Sequence, residues 1–147
     1  MKKLIGIVAT LFLVSVASVA LAVTLYDQYE PDNSRSNAYN IALGTTQNHT
    51  IYPVGDVDWV KVTLPATGTY KIRIYNDNDG VPLKVSQYLK VGMLPEISYG
   101  SFKITYRGYN TITVTSTETV RVNYAKIGVS AFNSGTTGQY RIQVWKP

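Results

Sequence analysis

Apolar and polar positions alternate in short runs along most of this chain. Val60, Val62 and Leu64 alternate with Lys61 and Thr63, and Tyr70, Ile72 and Ile74 alternate with Lys71, Arg73 and Tyr75. The same period of two returns at Phe102, Ile104 and Tyr106, at Ile112 and Val114, at Val120, Val122 and Tyr124, and at Ile127, Val129 and Ala131. It closes the chain at Tyr140, Ile142 and Val144. Alternation of this kind makes one face of an extended strand apolar and leaves the other wet. Turn residues separate the runs: Pro65 to Gly68, Asn76 to Gly80, Gly92 to Pro95, Gly108 to Asn110 and Asn133 to Gly138. Strands are therefore expected at His49–Tyr52, Val57–Leu64, Thr69–Tyr75, Leu83–Val91 and onwards, with Val57–Leu64 and Thr69–Tyr75 pairing as a hairpin. Val23 to Asn48 has no sustained period and reads as an extended lead-in with a short helical turn near Ser36 to Ile41. Beyond the first 22 residues no window carries a helical period. The fold class expected is all-β, an antiparallel β-sandwich of jelly-roll type.

The first 22 residues follow a different pattern. Lys2 and Lys3 precede an apolar stretch from Leu4 to Val19, and Ala20-Leu21-Ala22 is a small-x-small cleavage site. That layout is a secretory signal peptide over residues 1–22, with residues 23–147 as one domain. An uncleaved anchor is the competing reading, because Leu4 to Leu25 is nearly long enough to span a bilayer. Ala, Ser, Thr and Gly dilute the stretch and no charge follows it, which favours cleavage, no stable membrane anchor afterwards, and a secreted or cell-surface location. Cleavage leaves about 125 residues, the size of one ordinary domain. The chain has no cysteine, which rules out a disulfide framework and a lipid-anchored cysteine. Its formal charge of +5 includes Lys2 and Lys3, and the remaining Lys and Arg are scattered singly along strands. A nucleic-acid surface would cluster them, so no nucleic-acid partner is expected.

The inventory of reactive side chains excludes most catalytic chemistry. With no cysteine and a single histidine, His49, any nucleophile–base arrangement would have to use that residue, and no Gly-x-Ser-x-Gly elbow is present. His49 is expected to be an ordinary strand-edge residue. A histidine-rich zinc site is excluded, and no pair of carboxylates is singled out for glycoside hydrolysis. The chain is not expected to be an enzyme.

Hard oxygen ligands are concentrated in two short stretches. Glu30, Asp32 and Asn33 lie in Tyr29-Glu30-Pro31-Asp32-Asn33, and Asp56 and Asp58 lie in Gly55-Asp56-Val57-Asp58-Trp59. Carboxylates two apart on an extended backbone point the same way and repel unless water or a cation separates them. Calcium accepts six to eight oxygens of mixed type, which suits such a set. On composition alone the favoured reading is that Asp56 and Asn33 are turn residues and the rest solvated surface groups. Asn76-Asp77-Asn78-Asp79-Gly80 also looks acidic enough for calcium. The EF-hand spacing fails there, because position twelve counted from Tyr75 is Ser86 and not Glu, so a polar turn is expected.

Taken in order, Tyr29 to Asn33, then Ala38 and Ile41, then Gly55 to Trp59, and finally Gly138-Gln139-Tyr140-Arg141-Ile142-Gln143-Val144 resemble the bacterial pre-peptidase C-terminal domain. The resemblance runs from about Tyr26 to Trp145. It implies a secreted β-sandwich of the kind appended to exported enzymes and related to the collagen-binding domains of clostridial collagenases. In those domains the two acidic stretches bind calcium. The resemblance therefore implies one calcium ion held by Glu30, Asp32, Asn33, Asp56 and Asp58. The calcium-binding relatives carry a further acidic residue two before the Glu, where this chain has Gln28. No catalytic domain is expected ahead of the module, so the appendage role does not simply carry over.

Twelve tyrosines change the picture further. Tyr70, Tyr106 and Tyr140 are expected in the core, while Tyr75, Tyr99 and Tyr109 are placed to meet sugar rings or protein partners. The ring of Trp59 is expected to be buried against the lead-in beneath the acidic cluster. Together these readings describe a secreted, non-catalytic module, calcium-stabilised, that binds an extracellular protein or polysaccharide. The alternatives are a structural protein that self-associates into an envelope layer or fibre, and an accessory partner of a secreted protease.

Overall fold

A computed structural model describes residues 27–133 and 137–147; the expected signal peptide, residues 1–22, and the first residues of the expected domain lie outside these. Nine strands form two sheets facing each other: β1 Tyr39–Ile41, β2 Thr46–Ile51, β3 Val57–Thr63, β4 Gly68–Asn76, β5 Leu83–Val91, β6 Glu96–Ile104, β7 Tyr109–Ser116, β8 Val122–Ala131 and β9 Gly138–Trp145. One sheet has the order β1-β3-β8-β5-β6 and the other β2-β9-β4-β7. All pairings are antiparallel except β1 with β3. A short 3-10 turn, Arg35–Asn37, lies in the lead-in just before β1. The fold is the all-β sandwich expected.

The alternating positions meet between the sheets. Val60, Val62 and Leu64 from the β3 region, Tyr70, Ile72 and Ile74 from β4, Ile127 and Val129 from β8, and Tyr140, Ile142 and Val144 from β9 form one continuous buried core. Losing one such side chain to Ala would cost about 2–5 kcal/mol. The expected hairpin of β3 and β4 does not form, because the two strands belong to opposite sheets. Each buries its apolar face in the core between the sheets instead of pairing edge to edge. Pro65 to Thr67 carries the chain across, and the Tyr70 hydroxyl holds this corner by donating to the Ala66 carbonyl at 2.7 Å and accepting from the Ala66 amide at 3.2 Å.

Two further expectations are corrected. Tyr106 lies beyond the end of β6 and is exposed. Trp59 is half-buried on the outward phase of β3, with its ring against Tyr88 at 5.7 Å and across Gly128. A Cβ at Gly128 would stand 2.8 Å from that ring, so the glycine is what admits it. The alternation of β3 puts Asp58 inward and Trp59 outward, so the ring cannot lie beneath the acidic cluster. The change of phase between Tyr124 and Ile127 also has a structural cause. Lys90 opposes Tyr124 but Val91 opposes Val122, which leaves Asn123 as an extra residue, a bulge in β8.

Candidate metal centre

The lead-in crosses one end of the sandwich between β2 and β3. The Trp59 amide donates to the Asp32 carbonyl at 3.0 Å, and the Thr50 amide donates to Asp27 Oδ2 at 2.7 Å. These two bonds bring both acidic stretches together. Asp56 caps its own turn: its Oδ1 accepts from the Val57 amide and its Oδ2 from the Tyr52 amide. Gly55, with φ of +90°, supplies the left-handed residue this turn needs.

Carboxylate oxygens of Glu30, Asp56 and Asp58 lie within 4.8 Å of one another. Asn33 bridges two of them. With its amide nitrogen inward it donates to Glu30 Oε2 at 3.1 Å and Asp56 Oδ1 at 2.7 Å, and turned over it adds a further oxygen to the group. Asp32 is 1% exposed, and its Oδ2 is buried without a partner. Asp58 is as deeply buried and neither of its oxygens has a hydrogen bond. Glu30 Oε1 is likewise buried and unpaired.

The electrostatics follow from that crowding. Burial pushes Asp58 up to about 9, with the charges of Asp32 and Asp56 adding to it. Burial and then the Glu30, Asp27 and Asp56 charges bring Asp32 up to about 7. Glu30 is raised by burial and by Asp56. Tyr140, wholly buried beside Asp58, is raised well above its ordinary value by burial and by the Asp58 and Asp32 charges. Two like charges about 4 Å apart repel by about 4 kcal/mol at an effective dielectric near 20. Several such pairs would rival the stability of a whole domain, so protons or a cation must neutralise the group.

Two residues of the site escaped the sequence reading. Gln28 turns away, its amide donating to the Tyr29 hydroxyl at 2.8 Å, and Asp27 instead carries a carboxylate inward. Burial pushes Asp27 up, but His49 and the Thr50 and Tyr29 amides outweigh it and hold it below its ordinary value. His49 is not an ordinary strand-edge residue. It is 2% exposed, with Nδ1 3.4 Å from Asp27 Oδ2 and 4.0 Å from Asp58 Oδ2. Among the described residues it is the only side chain with a basic ring nitrogen within 4.0 Å of these two carboxylates. The signal for it was its phase: Gln47, His49 and Ile51 alternate inward along β2.

Neither a protein-family model nor a curated protein sequence matches the chain. Solved structures do. A mitogen derived from Yersinia pseudotuberculosis superposes with a TM-score of 0.54 at 12% identity, over 70% of this chain and 85% of that one. CorA, a surface-associated copper-binding protein of Methylomicrobium album BG8, gives 0.50 at 13%, over 75% and 98%. The pre-peptidase C-terminal domain of collagenase from Bacillus anthracis, the type of domain the motifs resemble, gives 0.49 at 14%, over 73% and 93%. What is shared at these identities is the fold. Among the described residues no helix is long and apolar enough to cross a membrane.

Proposed function

We propose that this protein is an extracellular, non-catalytic β-sandwich module, stabilised by one calcium ion, that binds an extracellular protein or polysaccharide. The observation that carries the reading is the set of buried, unpartnered carboxylate oxygens on Glu30, Asp32 and Asp58. Unsatisfied buried polar atoms are rare and costly, and this many on one side of a domain ask for a ligand. The donors are hard oxygens of mixed type on an irregular backbone, which suits calcium better than magnesium. Glu30, Asp32, Asn33, Asp56 and Asp58 would hold the ion, which supplies the positive charge these groups lack and ties the lead-in to β3. Asp32 and Asp58 are sealed from solvent, which supports a structural ion over a reaction centre.

The face offered to a target is the outer surface of the four-stranded sheet. Arg73 lies 4.8 Å from the ring of Tyr109, 5.1 Å from that of Trp145 and 5.8 Å from that of Tyr75. Flat aromatic rings around a guanidinium suit the faces and hydroxyls of sugars, and the anchor residues of a protein partner. Affinity electrophoresis in gels cast with neutral or acidic polysaccharide tests this. Retardation lost in Tyr109→Ala but kept in Tyr99→Ala is expected, and migration unaffected by every polysaccharide leaves only a protein target. Melting in calcium tests the ion. Saturation a hundredfold above Kd should add about 2.7 kcal/mol, several degrees for a domain of this size. A curve unmoved by millimolar calcium overturns the ion.

Self-association is a second reading, favoured by β6. This edge strand is exposed along almost its whole length, with Ile97 and Tyr99 outward and Met93 and Leu94 exposed in the preceding turn. A free edge is a template for pairing with another copy. Light scattering at rising concentration decides it, and persistent monomers remove it.

A further inference from the structure

We propose that His49, Asp27 and Asp58 form a second metal site beside the all-oxygen group, and that it takes a zinc-class transition ion through the Nδ1 atom of His49. The proposal begins with the tautomer. The Gln47 side-chain amide is anchored by donating to the Asn40 carbonyl at 3.3 Å, which turns its Oε1 toward His49 Nε2 at 3.2 Å. An amide oxygen can only accept, so Nε2 carries the hydrogen. In the neutral ring the lone pair is then on Nδ1.

That nitrogen faces two acceptors and no hydrogen-bonded partner. Asp27 Oδ2 lies 3.4 Å away and Asp58 Oδ2 4.0 Å away, and Nδ1 and both Asp58 oxygens are buried without hydrogen bonds. A lone pair pointed at two carboxylates is repulsive unless a proton or a cation sits among them. Ligating atoms of all three residues lie within 4.8 Å of one another. The edge of a tetrahedral zinc shell, with bonds near 2.1 Å, is about 3.4 Å. The cluster needs only a modest contraction to close on one ion.

The surroundings hold the ring in place. Its two faces are covered by Tyr29, at 4.5 Å, and by the stacked ring of Tyr140, at 5.0 Å and 11°. Asp27 is oriented by the Thr50 and Tyr29 amides. A metal-bound histidine whose other nitrogen donates to a fixed oxygen is the usual outer-shell arrangement. The nitrogen donor is what separates this site from the first. Calcium and magnesium take oxygen, whereas imidazole suits zinc, copper, nickel and cobalt. The two sites share Asp58, yet the second does not depend on calcium filling the first.

The decisive probes are zinc and cobalt(II) added to protein purified without a histidine tag. His49 is the sole histidine of the chain, so ¹⁵N-histidine labelling gives one pair of ring signals. Zinc should shift the Nδ1 signal strongly, leave Nε2 protonated, and bind with one equivalent; cobalt should develop visible bands of a low-coordinate N/O site. His49→Gln should weaken zinc at least tenfold while keeping the calcium melting shift, and Glu30→Gln should do the reverse. If the wild-type Nδ1 signal reports a bound proton and ignores zinc, an imidazolium fills the place and the site is overturned. Zinc bound equally well by a folded His49→Gln variant overturns it too. Zinc uptake without any calcium effect leaves this site standing and removes the calcium reading instead.

Discussion

Two acidic clusters flank Tyr140, and they resolve the same problem in opposite ways. On β9, Tyr140 pairs with His49 of β2 on one side and with Asn76 of β4 on the other. On the Asn76 side every charge is answered. Asp77 receives Arg141 at 2.7 and 3.0 Å, and Asp79 receives Arg107. The buried Asn76 amide donates to the carbonyls of Val81, Ile104 and Thr105, while its oxygen accepts from the amide and the side chain of Asn78. The Arg107 guanidinium beside Asp79 holds its carboxyl below the ordinary range. On the His49 side five carboxylates meet one imidazole, and Asp32, Asp58 and Glu30 are all raised. Acidic residues that find arginines and carbonyls are neutralised by the fold itself; acidic residues left with one another need protons or a cation. The stretch that looks most like a calcium loop in sequence is the one whose carboxylates arginines already answer.

Removing the centre of each cluster should separate them most sharply. Asn76→Ala strands three carbonyls, one of them wholly enclosed, and should cost roughly 3 kcal/mol with or without calcium. Denaturant melts in calcium and in chelator check this, and a loss that calcium repairs would merge the two clusters into one system. Asp58→Asn should do the reverse. It removes a repulsion, so the metal-free protein should be no less stable, but the increment of about 2.7 kcal/mol at a hundredfold excess of calcium should vanish. A variant that still gains the full increment would remove Asp58 from the ion.

The pH dependence has opposite signs on the two sides. Asp58, Asp32 and Glu30 have folded-state pKa values above their ordinary ones, so the folded chain holds the extra protons. Their contribution is fully present below about pH 4 and is lost as pH rises through about 7 for Asp32 and about 9 for Asp58. Metal-free protein should therefore melt progressively lower from pH 5 to pH 9, and saturating calcium should flatten the slope. A metal-free profile level across that range would mean the carboxylates are neutralised some other way. Asp79 is shifted down, so its contribution is present at neutral pH and lost only in acid. Both partners of that pair are exposed, and Asp79→Asn should barely move the melting curve at either calcium level.

The chain's own alternation determined the architecture. Inward positions such as Val60, Ile72, Ile127 and Ile142 are legible because the period of two is local, and burial follows it strand by strand. The oxygen-rich stretches were legible for the same reason: Glu30, Asp32 and Asn33 lie within four residues, and Asp56 and Asp58 within three. Only the tertiary structure decided which sheet each strand joins, and so placed β3 and β4 in opposite sheets. It also decided that Asp27 and His49, 22 residues apart, should face Asp58 at the mouth of the sandwich. Spacing in sequence shows which groups share a face of one strand. Which faces meet is set by burying the most apolar surface across the whole chain, and that is how the His49 ring came to face Asp27 and Asp58.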